Sequence, residues 1–512
     1  MSDDTSLSPQ SSALSPTPYA DWKAPAEDGA VLLWPAADEL LRDAAENHVL
    51  LCGAESLIQG VPLRDLRKQL RAWIGHADDD QLLFSTGHQT ELHHSGVWAK
   101  NALIDAAASR TGGAAYHVAV DTDEPKHLRL RWPGFSGESI TDDPSVNDVP
   151  WSSALAPPTP AHIVKLRSSL ANAASTWGYN PPATDFLGSL RRLALDATDL
   201  ASALTNASHA LDWSLGLRHH ALTASPVFSA EPYLALVYHV MARAGEFAAD
   251  YNAALDDYRR EHRIKTPGRP MPNLIAEADH VEAPFWLDDL TEVGRVRVRV
   301  RRRQGIWQLA WGDSTFAFAP KADARDGAAS LRDWLRAYNL RLSPRALTLT
   351  LFLRLFLADQ FVHGIGGARY DQVTDRLIHR HFKLRPPRFC VTTATLYFPQ
   401  AVGRAKACLS CVKQEGHRLR HNVVPEKRQL VQAIAAAPRG SIERSRLFFR
   451  MHDQLAAASA THPAIRAWEE RLAQTANDEA RDRDLFDREL FYGVQSPERL
   501  RGLIERYRSA FR

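Results

Sequence analysis

Short apolar runs alternate with amphipathic stretches over the first quarter of the chain. The runs cover residues 31–34, 49–52, 82–84 and 116–120, and the stretches 38–47, 63–74 and 93–109 have helical spacing. Apolar runs of three to five residues bounded by turn residues are typical of buried strands. Strands that alternate with helices build βαβ units around a parallel sheet. The pattern therefore predicts an α/β fold for this region.

Proline-rich stretches at residues 144–160 and 267–272 interrupt the pattern and predict domain boundaries. The first 28 residues are too polar and too rich in Ser and Pro to bury a core, so we expect a disordered tail. Helical periodicity returns near residue 329 and dominates after Pro399. The predicted organisation is a tail (1–28), a core in two parts (29–150 and 329–400), an insertion (151–328) and a helical arm (401–512).

The insertion is predicted to be helical at first and then to contain a β-hairpin. Val296, Val298 and Val300 alternate with the arginines at 295, 297, 299 and 301. Strict alternation places the two residue types on opposite faces of a strand. Gln304-Gly305 is a suitable turn into the apolar segment 306–311. The arginine row could face a polyanion, but acidic residues lie just upstream, so we do not expect a nucleic-acid partner.

Composition and charge exclude several classes of protein. Of 512 residues, 45% are hydrophobic and 24% charged, as in globular proteins. Lys and Arg total 62 against 60 Asp and Glu, a net charge of +2 that excludes a bulk polycation. The most apolar stretch, 346–362, is interrupted by Arg354 and Asp359, so no membrane span is predicted. Four cysteines cannot form a disulfide scaffold for this length, and we expect a cytoplasmic, soluble protein.

The densest polar cluster follows the apolar run 82–84. A glycine at a strand end lets backbone amides approach an anion, and histidine or glutamine side chains can donate hydrogen bonds or move protons. The predicted catalytic residues are His88, Gln89 and His94, and the predicted binding residues are Thr86, Gly87 and His93. His94-Ser95-Gly96 also resembles a degenerate form of the His-x-Gly-His signature of nucleotidyltransferases. The alternative is a polar loop with purely structural histidines.

A second cluster follows the run 116–120 and contains Asp121, Asp123, Glu124 and His127. Its carboxylates could hold a substrate amine, a ribose hydroxyl or Mg²⁺. Asp121 and Asp123 are therefore predicted catalytic residues and His127 a binding residue. The alternative is a solvated turn, a common place for carboxylates.

A glycine-rich turn follows the apolar stretch that ends at Val362. His363, Gly364, Gly366 and Gly367 precede Arg369, so backbone amides and a guanidinium could bind an anion. The spacing does not match the dinucleotide fingerprint, and a tight structural turn is the alternative.

Cys408 and Cys411 lie close to His417 and His421. The gap of five residues between Cys411 and His417 is short compared with common zinc fingers. We therefore expect a structural helix with two incidental cysteines. Zinc is not expected, and no metal ligand set is predicted.

Three of these segments resemble the bacillithiol biosynthesis cysteine-adding enzymes. That family has a Thr-Gly-Gln-Gln-x-Gly-Leu stretch leading into a helix with a lysine, similar to residues 86–92 and Lys100 here. Its next strand ends in an acidic segment followed by histidine, as at 121–127. Ser343-Pro344 and the segment 362–368 resemble its late Ser-Pro and Gly-rich elements. His88 replaces a glutamine of the family and Glu91 replaces a glycine. The sequence therefore allows two alternatives, use of the family's substrate and use of a different one.

The resemblance implies a Rossmann-like nucleotidyltransferase-type core, a connecting insertion and a C-terminal coiled-coil arm. It also implies an enzyme that forms an amide between the carboxyl group of cysteine and an amino sugar, and a fold that binds nucleotides. We therefore expect a ligase-like enzyme joining a small carboxylate to an amine. ATP or ADP with Mg²⁺ is a candidate cofactor, and a homodimer through the arm is a candidate assembly. The alternatives are a nucleotidyltransferase with another substrate and a non-enzymatic interaction protein.

Overall fold

A computed structural model describes residues 22–76, 78, 80–303, 306–319, 322–404, 406–422 and 424–512. The strands are β1 (Val31–Trp34), β2 (Leu57–Ile58), β3 (Val61–Pro62), β4 (Leu83–Gln89), β5 (Ala114–Val120), β6 (Arg129–Trp132), β7 (Phe135–Ser139), β8 (His220–Thr223), β9 (His280–Asp289), β10 (Gly294–Arg303), β11 (Ile306–Trp311), β12 (Ser314–Phe318), β13 (Leu340–Pro344), β14 (Gln360–His363) and β15 (Phe389–Ala394).

The helices are α1 (Ala37–Cys52), α2 (Leu63–Trp73), α3 (Ser95–Thr111), α4 (Pro160–Ala174), α5 (Ala183–Leu193), α6 (Leu200–Leu215), α7 (Ala224–Val227), α8 (Glu231–Ala242), α9 (Ala244–Glu261), α10 (Ala324–Ala337), α11 (Ala346–Phe352), α12 (Ile365–Phe382), α13 (Leu409–Asn422), α14 (Lys427–Ala436), α15 (Ile442–Thr461), α16 (Pro463–Asp482) and α17 (Pro497–Ala510). A π-helical turn, Leu353–Leu357, continues α11.

The main sheet has six strands in the order β1-β15-β14-β4-β5-β8. β15, β14, β4, β5 and β8 are parallel, and β1 is antiparallel at one edge. The mixed α/β fold and the parallel pairing of the two strands at 82–84 and 116–120 are thus confirmed. Helix α3 connects β4 to β5, and α12 connects β14 to β15 in the opposite direction.

One predicted strand is wrong. Residues 49–52 form the last turn of α1, whose buried positions Leu40, Ala44, Asn47 and Leu51 recur at spacings of three and four. Val49 is 72% exposed, which a buried strand position would not allow. The apolar run resembled a strand because it is short, and the helical period becomes visible only when the polar residue Asn47 is counted as buried.

The predicted insertion contains helices α4–α9 and also one strand of the main sheet, β8, which the sequence did not predict. Strand β8 pairs in parallel with β5 although it lies in a region predicted to be mainly helical. After the helices, β9–β13 form a separate antiparallel sheet in the order β12-β11-β10-β9-β13. It contains the predicted hairpin, with Val300 opposite Leu309, whereas the predicted turn at Gln304-Gly305 lies outside the described residues.

The arginine row on β10 is partly neutralised inside this second sheet. Arg295 Nε is 2.7 Å from Oδ1 of the buried Asp288, which also binds Arg341. Arg297 lies 3.7 Å from Glu282. Arg295 and Arg297 of the row therefore form ion pairs with carboxylates of the neighbouring strand β9.

The chain forms two compact units. The larger contains the described residues up to Arg131 together with Gly137–Leu396 and Arg488–Arg512. The smaller contains Trp132–Ser136 and Tyr397–Asp487, and its helices α13–α16 pack on one another. Among the described residues, no helix has both the length and the apolar character needed to cross a bilayer.

The predictions for the cysteine pair at 408 and 411 and for the N-terminal tail agree with the structure only in part. Cys408 and Cys411 are joined by a disulfide at the start of α13, so their sulfurs are not free ligands. Of the predicted tail, residues 1–21 lie outside the described residues. Trp22 packs edge-on against Trp34, with ring centroids 5.9 Å apart.

Candidate functional site

The direction of the main sheet reverses between β14 and β4. From β4 the chain proceeds to β5 and β8 on one side, and from β14 it proceeds to β15 on the other. Ligands of doubly wound sheets bind beyond the carboxyl ends of the strands at such a switch point. The register pairs Val362 with Thr86, so the predicted clusters at 86–94 and 363–369 leave neighbouring strands at the same edge.

The polar cluster was predicted to follow the strand that begins at residue 82, but its first residues belong to that strand, β4. β4 continues to Gln89, because Gly87, His88 and Gln89 pair with β5 as far as Val120. Thr86 Oγ1 donates to Val362 O at 2.8 Å, which joins the two strands at the switch point. Thr86 is therefore a structural link between the strands.

The loop from Thr90 to His94 is fixed by backbone hydrogen bonds on three sides. The amide of Thr90 donates to Val120 O, that of Leu92 to His127 O, and that of Tyr492 to His93 O. His94 then caps α3, because its Nδ1 accepts from the amide of Gly96 at 3.0 Å. The loop is held in one conformation by its neighbours.

His88, Glu91 and His93 form a cluster at the end of β4. His88 Nδ1 lies 3.2 Å from Glu91 Oε1, and the rings of His88 and His93 are 5.1 Å apart. His93 Nε2 is 3.1 Å from the carbonyl oxygen of Gln89. Lys100, which is buried, reaches the same place from α3 and donates to Gly87 O at 2.8 Å.

Burial dominates the electrostatics of this cluster. Desolvation lowers the pKa of His93 to about 4 and that of His94 to about 3. It raises the pKa of Glu91 to about 7 and lowers that of Lys100 to about 7. The imidazoles are therefore neutral at physiological pH and have a lone pair available for a proton or a cation.

A second polar network lies beside the cluster, and sequence reasoning missed it. His117 Nδ1 is 2.8 Å from Asn101 Oδ1, and Asn101 donates to the buried carboxylate of Asp212. Trp98 Nε1 and the hydroxyl of Tyr492 donate to the same carboxylate at 2.7 and 2.8 Å. No local pattern could reveal this network because its members come from β5, α3, α6 and the segment before α17.

A small, partly open pocket of about 20 Å³ lies between the cluster and this network. Glu91, His93, His117, Asp212 and Tyr492 are among its lining residues. A space of this size accommodates about one water molecule or one ion.

The second predicted cluster divides between two surroundings. The Asp121 carboxylate accepts hydrogen bonds from the amide of Ser225, at 2.8 Å, and from its hydroxyl. Asp123 Oδ2 accepts from Gln89 Nε2 at 2.8 Å, which connects it to the end of β4. His127 is exposed and has a left-handed backbone (φ 48°). Asp123 is the member that the structure brings to the switch point.

The third cluster begins α12, with Gly364 as its N-cap. His363 Nε2 lies 2.9 Å from Asp371 Oδ2, and Asp371 is also bound by the buried Arg354 at 2.5 Å. These partners hold the pKa of Asp371 well below its usual range although burial opposes them. The Cβ of any larger residue at 367 would lie 2.7 Å from His363 Nδ1, so Gly367 makes room for this ring.

Gly364 and Gly366 differ from Gly367 in their surroundings. A Cβ added at either position would meet no described atom within 4 Å. The first amides of a helix have no acceptor within the helix, so an anion can approach them here. Arg369 points elsewhere and donates to Trp22 O at 2.5 Å.

Neither a protein-family model nor a curated protein matches this chain.

Proposed function

We propose that this chain is an enzyme that joins a small carboxylate to an amine. The observation that carries the proposal is that two groups lie at the carboxyl ends of the adjacent parallel strands β14 and β4: an open helix N-terminus after His363, and the hydrogen-bonded pair of Gln89 and Asp123. A reaction of this kind requires a site for a negative group, a base for the amine and polar groups that orient both substrates. All three are available at one edge of the sheet.

The anionic group would be held by the first amides of α12, at Gly364 and Gly366. The helix dipole favours a carboxylate or phosphate at this end, and the absence of side chains lets it approach the backbone. The pair formed by Gln89 and Asp123 would orient the amine, since a carboxylate attracts an ammonium group and an amide accepts or donates.

His363 would accept the proton that the amine loses as the carbon–nitrogen bond forms. A histidine that bonds an ionised carboxylate through one nitrogen is fixed in one tautomer, and its other nitrogen can act as a base. Asp371 has this orienting role, and Arg354 keeps it ionised. Asp371 is therefore a positioning residue.

Cysteine as the carboxylate and an amino sugar as the amine are supported by the resemblance to the cysteine-adding enzymes of low-molecular-weight thiol biosynthesis. A carboxyl group must be activated before it forms an amide, and a nucleoside triphosphate with Mg²⁺ would supply that activation. Its phosphates fit the open backbone at Gly364 and Gly366. On this proposal the core is a Rossmann-like nucleotidyltransferase-type fold that works in the cytoplasm.

Mass spectrometry of the purified full-length protein with cysteine and glucosaminyl malate, with and without Mg-ATP, tests the proposal. We expect a product whose mass is the sum of both substrates less one water. His363→Ala and Asp123→Asn should each lower its rate at least about 100-fold. His379→Ala, at an exposed position on α12, the helix that follows His363, is the matched control and should leave the rate unchanged. Intact substrates under every condition would contradict the proposal.

A nucleotidyltransferase with another substrate is the second candidate, and the open amides at the start of α12 favour it equally. It predicts release of pyrophosphate from ATP without an amide product. The same incubation, assayed for pyrophosphate, separates the two reactions. A protein that acts only through interactions would show neither product.

The helical unit is proposed to act as a coiled-coil arm that forms a homodimer. Its helix α15 has exposed apolar side chains at Ile442, Phe448 and Phe449. Exposed large apolar residues grouped on one helix mark association surfaces.

A further inference from the structure

We infer that His88, Glu91 and His93 form a binding site for one divalent first-row transition-metal cation. One nitrogen of each imidazole and one oxygen of Glu91 all lie within 4.8 Å of one another. The site goes beyond the proposed function, which uses none of these three side chains.

The spacing between His88 and Glu91 is that of two ligands of one metal. Metal–ligand distances of about 2.0–2.1 Å and a tetrahedral angle place two ligand atoms about 3.3 Å apart. His88 Nδ1 and Glu91 Oε1 are 3.2 Å apart. The ligand nitrogen of His93 lies within 4.8 Å of both atoms and must move closer to complete the same coordination sphere.

These atoms also lack the hydrogen bonds that would otherwise satisfy them. His88 Nδ1 and Glu91 Oε2 are buried and have no hydrogen-bond partner among the described residues, although Glu91 Oε1 lies within ion-pair distance of His88 Nδ1, at 3.2 Å. The side chain of Glu91 is only 5% exposed. A buried, ionised carboxylate with an unpaired oxygen is destabilising unless a cation compensates its charge. A cation among the three residues supplies a counter-charge for the Glu91 carboxylate and a partner for His88 Nδ1.

The surroundings orient the ligands as metal sites require. The hydrogen bond between His93 Nε2 and Gln89 O leaves the lone pair of this ring on Nδ1. The backbone hydrogen bonds at Thr90, Leu92 and His93 fix the loop. The pocket of about 20 Å³ next to Glu91 and His93 leaves room for a metal-bound water.

The ligand types indicate which metal binds. Two imidazoles and one carboxylate with an open position are the ligand set of catalytic zinc sites and of non-haem iron sites. Mg²⁺ and Ca²⁺ prefer oxygen ligands and are not expected here. Lys100, which interacts electrostatically with Glu91, competes with the metal for the same carboxylate.

Two other groups of carboxylates and a histidine provide internal controls. Asp250 lies 3.0 Å from His381 Nδ1, and Asp279 lies 2.9 Å from His280 Nδ1. In both, the ring nitrogen and the carboxylate already share a hydrogen bond, which His88 Nδ1 does not have, and Glu246, Glu277 and Asp279 are exposed. We therefore expect neither group to bind a metal tightly.

Calorimetric titration of the full-length, chelator-treated protein with Zn²⁺ tests the site, and Co²⁺ serves as a spectroscopic probe. One Zn²⁺ should bind, and Co²⁺ should give the visible absorption of a site with imidazole ligands. His88→Ala, Glu91→Gln and His93→Ala should each weaken Zn²⁺ binding at least roughly tenfold. His280→Ala and His381→Ala should leave it unchanged.

Circular dichroism of each variant separates a lost ligand from a lost fold. The Lys100→Met variant should change the Zn²⁺ affinity in the opposite direction. Removal of the competing positive charge should tighten Zn²⁺ binding. No binding by the parent protein, or equal losses in the control variants, would overturn the inference. Amide formation is scored separately, so failure of the metal site and failure of the proposed function are distinguishable.

Discussion

Asp359 shows how one residue stabilises the core. Its buried carboxylate lies 2.6 Å from Arg67 and 2.8 Å from Arg71, and it also accepts from the amide of Leu83. His48 Nδ1 is 3.1 Å away. This network joins α1, α2 and the amino ends of β4 and β14. The candidate site lies at the other end of these two strands, where they finish.

Asp359→Asn should destabilise the protein by about 3–5 kcal/mol, because it leaves two buried guanidinium groups without a counter-charge. Urea unfolding measures the effect. Asp65→Asn breaks an exposed pair with Arg64, whose closest atoms are 3.8 Å apart, and should cost less than about 1 kcal/mol. Equal losses of unfolding free energy in the two variants would contradict the prediction that the buried network stabilises the protein more than the exposed ion pair does.

His48 makes the stability depend on pH. Its hydrogen bond with Asp359 raises the pKa of His48 to about 9, above its ordinary value of 6.5. The folded state therefore binds the proton more tightly than the unfolded state. The stabilisation is complete below about pH 6.5 and is lost as the pH rises through about 9.

Unfolding free energies of the parent protein and of His48→Gln, measured from pH 6 to pH 10, test this sign. The difference between the two proteins should shrink as the pH rises. A difference that stays constant or grows would contradict it.

At the scale of elements, the start of α3 depends on a glycine. A Cβ at Gly96 would lie 2.6 Å from Thr393 Oγ1 and 2.9 Å from the carbonyl oxygen of Ala394 on β15. The carbonyl belongs to a central strand and cannot easily move. The glycine thus allows α3 to approach the sheet closely enough to deliver Lys100 to the site.

Gly96→Ala should lower the free energy of unfolding by about 1–3 kcal/mol, since a close-packed contact must shift. Gly502→Ala is the matched control on α17, where an added Cβ meets no described atom within 4 Å. This control should raise the stability by about 0.5–1 kcal/mol through helix propensity. Thermal unfolding of both variants provides the comparison.

Element types were predictable where the hydrophobic period was clear. β4 and β5 contain the predicted apolar runs, and the hairpin in the second sheet has the alternation of period two. Helix α3 is the exception, because it is buried on almost all sides and has no amphipathic period. β8 was missed because its four residues, His220–Thr223, have no alternation or long apolar run. It is a strand because its backbone pairs with the free edge of β5, which is a tertiary reason.

At the scale of the whole molecule, the helical arm carries a prediction about assembly. Ile442 and Phe449 are two turns apart on α15 and are 83% and 64% exposed. Such positions share one face of a helix. Burial of this face against a second copy would remove apolar surface from water.

Light scattering at micromolar concentration should give twice the chain mass of 57.1 kDa. Phe449→Glu should shift the protein toward monomer, whereas Thr461→Glu, which adds the same charge at an exposed position off this face and at the far end of α15, should not. A parent protein that is monomeric at this concentration would contradict the proposed dimer.

The sequence by itself determined the α/β class, the parallel pairing of β4 with β5 and the polar residues at the carboxyl ends of the strands. These properties are local, because they follow from periodicities of two and 3.6 residues and from residue types at strand ends. Only the tertiary structure decided which of those residues meet. It brought Asp123 to Gln89, bound Asp121 to Ser225, and placed Glu91 between His88 and His93. It also assembled Asp212, Asn101 and Tyr492 from distant segments, since contacts across hundreds of residues depend on strand order and helix packing.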